Sequence, residues 1–242
     1  MRITVLINHD AAALLALSYL QAALAEHEVC VFYTQLDKKP NLPTKLVELG
    51  KFDAEIMPQA ESIVRAFKFE KMNDINGADF DRYRDSTPDL VISIRHMRIL
   101  QDAAINLPKY GVINLHSGPL PAYQGVMATF WALNNREEYL GTTLHYIENA
   151  AIDRGAIIAR SQTPANYDQS YLWNVFNIYS AGCANIIKTL DRLNQAEPLN
   201  AQAQPASGTY FSFPDQAALT AFQLPLFNAN DSLNTFLVSV GD

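Results

Sequence analysis

Residues 2–7 (RITVLI) form a short, mostly β-branched apolar run, the pattern of a strand covered on both faces. Asp10 then stands where it can cap a helix in which Leu14, Leu17, Leu20 and Leu24 recur at helical spacing. Val29 to Thr34 (VCVFYT) reads as the next strand. Strand, helix and strand in about 35 residues make a βαβ unit, which implies a parallel sheet with a right-handed crossover.

Residues 38–88 are less regular. LPTKLVELG predicts a short helix closing at Gly50, and ESIVRAFKFEKM a second one. Pro88 precedes DLVISI (89–94), a buried strand, and GVINLH (111–116) is another. Thr142–Ile147 and Ala156–Arg160 complete the sheet as an antiparallel pair, because their connection is short. Residues 168–195 predict one long amphipathic helix. NAQAQPASG is a polar loop, TYFSF (209–213) a short strand, and PDQAALTAF a helix with Pro in its first turn. The expected fold class is α/β: an open, mostly parallel twisted sheet with helices on both faces. Residues 1–196 form the main domain and residues 197–242 a C-terminal extension packed on it. Ligands of such sheets bind beyond the carboxyl ends of strands, where the winding reverses.

Composition narrows the class. Of 242 residues, 49% are hydrophobic and 18% charged, so a large core is available and disorder is not indicated. A net charge of −7 argues against a domain whose main task is to wrap a nucleic-acid backbone. Cys30 and Cys183 stand in apolar surroundings without metal-ligand spacing and read as buried small hydrophobes. The opening run is too short for a signal peptide, and AAALLALSYL is about half a membrane span. A cytoplasmic protein without membrane partner is expected. The pattern carries no information on oligomeric state.

Candidate chemistry collects in two places. Asn114 and His116 end the GVINLH strand on one face, before the breaker-rich SGPLPAYQG. Asp153 lies in AIDRGAII, between two strands. An amide that donates to an oxyanion, an imidazole that handles a proton and a carboxylate that tunes it suit acyl transfer. Taken singly, each has an ordinary explanation as a turn residue. No serine or cysteine stands beside a convincing base, since Ser117 points away from His116, so no covalent nucleophile is indicated.

The segment NLHSGPLPAYQG (114–125), with GTTLHYIENAAIDRGAII (141–158) after it, resembles the folate-dependent formyltransferases. The likeness rests on Asn114, His116, Leu120, Pro121, Gly125, Thr143, His145, Asp153 and Gly155, in the family's order. MRIL (97–100) is similar to the stretch that holds the pterin ring in the glycinamide ribonucleotide branch. The resemblance is densest over 89–158 and implies a Rossmann-like formyltransferase catalytic domain. It also implies 10-formyltetrahydrofolate as co-substrate, no metal, and direct attack of an amine on the formyl carbon through a tetrahedral intermediate. Asn114 and His116 would stabilise the oxyanion, and His116 with Asp153 would move protons. Met97, Arg98 and Leu100, with Glu148, Ala151 and Ile152, are the expected folate contacts, mostly through backbone groups. The stretch from His145 to Asp153 is one residue longer than the family's usual. His145 either contacts the folate or packs behind the site.

The family's acceptors differ. The glycinamide ribonucleotide enzymes cradle a phosphate in a Gly-rich loop after the first strand, but INHDAAALLAL holds no glycine. The initiator-tRNA branch carries a C-terminal RNA-binding domain, and residues 197–242 are few and little basic for that. The expectation is a small-molecule amine acceptor, an amino sugar (nucleotide-linked or not) or an amino-acid derivative. The alternatives are activity like that of phosphoribosylglycinamide formyltransferase, or hydrolysis of 10-formyltetrahydrofolate. Hydrolases of that kind carry an N-terminal regulatory domain, whereas this chain starts at the first strand. TYFSF suits an edge strand covering the core, and Tyr210, Phe211 and Phe213 are the residues in it that an acceptor pocket would use. Trp131 and Trp173 are expected in the core.

Overall fold

Arg2–Asn8 (β1) is the strand that the opening apolar run predicts. Asp10 caps Ala11–Leu24 (α1) by accepting from the Ala13 N–H at 2.9 Å, and the predicted leucines are buried. Glu28–Thr34 (β2) pairs with β1 in parallel, completing the βαβ unit. The computed structural model describes residues 1–35 and 41–237; residues 38–40 of the less regular stretch and 238–242 of the extension lie outside them.

Thr44–Ile63 (α2) is one helix where two were expected, and it runs through Gly50 and Pro58. A helical glycine costs about 1 kcal/mol relative to alanine. Burial of Leu46, Phe52, Met57 and Ala60 outweighs that cost, at roughly 1.5–3 kcal/mol per large side chain. Part of the second predicted helix is instead Phe69–Lys71 (β3), a parallel edge strand on β2. Phe80–Asp85 (α3), Leu90–Ile94 (β4), Asp102–Ile105 (α4) and Val112–His116 (β5) follow. Then come Gln124–Gly125 (β6), Ala128–Asn134 (α5), Tyr139–Leu140 (β7), Thr143–Ile147 (β8), Ile157–Arg160 (β9) and Thr163–Pro164 (β10).

The seven-stranded sheet has the order β3-β2-β1-β4-β5-β8-β9. Its first five strands are parallel, and β8 and β9 are antiparallel, as expected. The winding reverses between β1 and β4. Alternation along β5 sends Ile113 and Leu115 into the larger core and Val112 into a smaller one on the other face. Asn114 and His116 follow Val112, so they look out from the smaller-core face.

The predicted 168–195 helix is two, Tyr171–Asn177 (α6) and Tyr179–Asn194 (α7). Ile178 between them keeps right-handed dihedrals, so the break is a bend. Ser170 caps α6 by accepting from Trp173 N–H. Residues 210–211 (Tyr210–Phe211, β11) pair with β6, and Gln216–Ala221 (α8) is capped by Asp215. Leu219, Phe222, Leu226, Leu233 and Phe236 of the extension are buried in the larger core. Two packing expectations change. Cys30 is half-buried on β2, although Cys183 is fully buried. Trp131 and Trp173 are only partly buried, because each ring covers the core's edge: Trp131 stacks on Phe211 and Trp173 packs on Phe236.

Candidate active site

β5 and β8 set Asn114 opposite His145 and His116 opposite Thr143. The Asn114 Nδ2 lies 3.1 Å from His145 Nε2, and His145 Nδ1 lies 2.8 Å from the Tyr146 carbonyl. With Nδ1–H donated to that carbonyl, His145 offers the Nε2 lone pair to one Asn114 N–H, which leaves the other N–H unspent. The β8–β9 register shifts between Leu144 and His145.

His116 Nε2 is 2.6 Å from the Tyr123 carbonyl, so this nitrogen carries the proton in the neutral ring. Nδ1 faces Asp153 Oδ2 at 3.4 Å, and Asp153 Oδ1 lies 3.5 Å from His145 Nε2. The three sequence-selected residues therefore meet, with His116 and Asp153 side chains 8% and 10% exposed. Burial holds the His116 imidazole below its ordinary value, with the Asp153 charge opposing. Burial alone would raise the Asp153 carboxyl; the His116 charge and the Gly125 N–H overcome it and hold the group at about 2.

Two glycines shape this turn. Gly125 has φ +91° and donates its N–H to Asp153 Oδ2 at 2.8 Å. A Cβ on Gly155 would come within 1.9 Å of the Tyr146 carbonyl, so only glycine lets the loop return to β8. Asp153 itself sits at φ +55°, which is costly for a residue with a Cβ. Thr143 Oγ1 donates to Gly118 O and accepts from Leu120 N–H, tying down the loop after His116.

The expected folate contacts surround this face. Leu100 is buried in the smaller core with Val112, and Ile147 packs against the same cluster. That anchors residues 97–100 beside the strand that leads into residues 148–152. Met97 and Ile99 are 40% and 53% exposed, and Ile152 is exposed as well. Among the described residues, no hydrogen bond engages the backbone N–H or C=O of Met97, Arg98, Leu100 or Ile152. Apolar side chains beside unspent backbone groups fit the face and the amide edge of a pterin ring. Ala151 N–H is taken by Asn149 and the Glu148 carboxylate by Ala156 N–H, so these two residues offer carbonyl oxygens.

At the point where the winding reverses, Arg95 Nε donates to both Asp10 carboxylate oxygens, at 2.9 and 3.0 Å. The first N–H groups of α1 are already used: Ala11 donates to Asp53 and Ala13 to Asp10. A depression of about 660 Å³ lies elsewhere, at Met1, His27, Glu28 and Asp89 near the amino ends of strands. Its lining brings together no set like that of Asn114, His116, His145 and Asp153.

The family model described as formyl transferase matches residues 1–171. The chain belongs to the formyl transferase family. The methionyl-tRNA formyltransferase of Fusobacterium nucleatum subsp. nucleatum is 26% identical over 189 residues, 78% of this chain and 58% of that protein. The chain thus spans little more than half the length of that relative. Two solved formyltransferases share the fold. The sugar N-formyltransferase from Shewanella has a TM-score of 0.59 at 19% identity, covering 87% of this chain and 76% of that one. The N-formyltransferase from Helicobacter canadensis, solved with folinic acid and dTDP-3-aminofucose, has a TM-score of 0.57 at 21% identity, covering 87% and 70%.

In this member of the formyl transferase family, the sequence pattern finds the residues that face out from strand ends. It misses the Tyr123 carbonyl, because a backbone acceptor leaves no mark on residue type. Arg95 also passes unremarked, and an Arg directly after a buried strand was the available signal. Among the described residues, no helix is long and apolar enough to cross a membrane.

Proposed function

We propose that the chain transfers a formyl group from 10-formyltetrahydrofolate to the amine of a small molecule. The observation that carries this reading is the convergence of Asn114, His116 and Asp153 beside unspent backbone at Met97, Arg98, Leu100 and Ile152. Those backbone groups would hold the folate, which supplies the activated formyl carbon. The co-crystallised folinic acid of the Helicobacter protein supports that donor.

Attack by a neutral amine places negative charge on the formyl oxygen. Asn114 meets it with the N–H that His145 does not use. His116 keeps Nε2–H on Tyr123 and is neutral at physiological pH because burial disfavours its charge. Its Nδ1 takes the amine proton and delivers it to the departing folate nitrogen. Asp153, ionised throughout, stabilises the imidazolium in between.

The acceptor is read as an amino sugar or an amino-acid derivative, with the sugar N-formyltransferase neighbour favouring the former. A phosphate captured at α1, as in activity on phosphoribosylglycinamide, is disfavoured because Asp53 and Asp10 occupy the Ala11 and Ala13 N–H groups and place two carboxylates there. The initiator-tRNA reading has the relatives' names in its favour. One assay separates them: donor, enzyme and a panel of amino sugars, amino acids, phosphoribosylglycinamide and initiator methionyl-tRNA, read by mass gain of one formyl group. Transfer to small amines, lost by ~10²–10⁴ in His116→Ala, is expected. Formylation of the tRNA alone would overturn the small-amine reading. Formate release without transfer would make the chain a hydrolase, and unimpaired turnover in His116→Ala would overturn the site.

A further inference from the structure

The family match ends at residue 171, yet the turn that carries Asp153 is held from beyond it. Gln204 Nε2 donates to the Asp153 carbonyl at 2.9 Å and to the Gly155 carbonyl at 2.7 Å. Both N–H groups of one amide thus span the turn. Its Oε1 is buried and has no hydrogen-bond partner among the described residues. An orphaned buried oxygen costs roughly 1–3 kcal/mol, so the amide is oriented by its two N–H bonds, and two carbonyls can accept only from that orientation.

The same segment laces together both halves of the site. Gln202 bridges Ile157 on one side, and Arg154 Nη1 donates to Ala206 O. On the other side, Thr209 N–H donates to Pro121 O, and β11 pairs with β6, whose Gly125 N–H binds the Asp153 carboxylate. A left-handed Asp153 persists only where its surroundings over-determine it.

We propose that Gln204 is a positioning residue, which clamps the backbone of the Asp153 turn so that the carboxylate stays against His116. The inference rests on the proposed role of Asp153, and it assigns part of the site to a segment outside the family's matched region. Gln204 touches no reacting atom; it acts through Asp153.

The test is a double-mutant cycle in steady-state formyl transfer, run with the full chain. Gln204→Leu should lower kcat by ~10–100-fold, as expected for a small displacement of a catalytic group, and leave KM for the formyl donor within about twofold. In an Asp153→Asn background the same change should cost less than about twofold, because no carboxylate is left to position. Gln204→Met, unbranched and of similar length, carries the same test if the leucine variant does not fold. Equal losses in both backgrounds would assign Gln204 to general stability and overturn the proposal, as would wild-type kcat in Gln204→Leu. Asp153→Asn separates the two levels. If it is nearly inactive while Gln204→Leu is normal, only this inference falls; if it turns over normally, the reading of the site falls with it.

Discussion

At the scale of single residues, the site works by deciding which nitrogen is spent. Tyr123 O fixes His116 with Nδ1 toward Asp153, and His145 takes one N–H of Asn114. Asn114→Ala removes the remaining oxyanion donor and should raise the barrier by about 3 kcal/mol, seen as lost kcat. A change confined to KM would make Asn114 a binding group instead. The His116 value has a sign that can be checked. Burial lowers it while Asp153 raises it and His145 lowers it further, so the base is lost only when pH falls below the ordinary histidine range. Asp153→Asn removes the raising influence, and the acid limb of kcat/KM should move to still lower pH. A limb that stays put would mean that the carboxylate does not act on His116. These side chains were legible because strand alternation puts residues 114 and 116 on one face. What each one bonds was not, since Tyr123 and Tyr146 act through carbonyls that every residue type possesses.

At the scale of elements, the helix ends show how much a cap decides. Asp10 was recognisable as the start of α1 from its place before the leucine repeat. Its second task, pairing with Arg95 from the loop after β4, depends on two strands lying side by side and has no local signature. Asp10→Ala should cost about 3 kcal/mol in denaturant unfolding, since it removes a cap and leaves a largely buried guanidinium unpaired. Asp10→Asn keeps a capping oxygen and should recover about 1 kcal/mol of this. Equal stability of the two variants would show that the cap contributes nothing. The helices misread from sequence fail for a shared reason. Gly50 is a local stop signal that the buried face of Phe52 overrides, and the bend at Ile178 has no local mark because packing decides it.

At the scale of the molecule, the parallel sheet was legible because buried strands announce themselves as short apolar runs. The way the extension returns to the site was not, because β11 pairs across some eighty residues with a loop. The whole fold also carries an acid sensitivity that can be located. His96 follows β4 and bonds Thr34 Oγ1 through Nδ1 at 3.0 Å. Burial lowers it to about 4, with the Ile7 carbonyl opposing and the Arg98 charge adding to the effect. The unfolded chain therefore binds a proton near pH 6.5 that the folded chain refuses until about 4. Stability from this group is complete above pH 6.5 and is lost as pH falls toward 4, at about 1.4 kcal/mol per unit. His116 shifts the same way, whereas the Asp153 contribution, with its value near 2, is lost only below the ordinary carboxylate range. Between pH 7 and pH 5 the wild-type chain should lose about 2 kcal/mol more than His96→Gln, which keeps a partner for Thr34 without titrating. Urea midpoints of both chains at the two pH values measure the difference, and parallel shifts would assign the acid sensitivity to other groups.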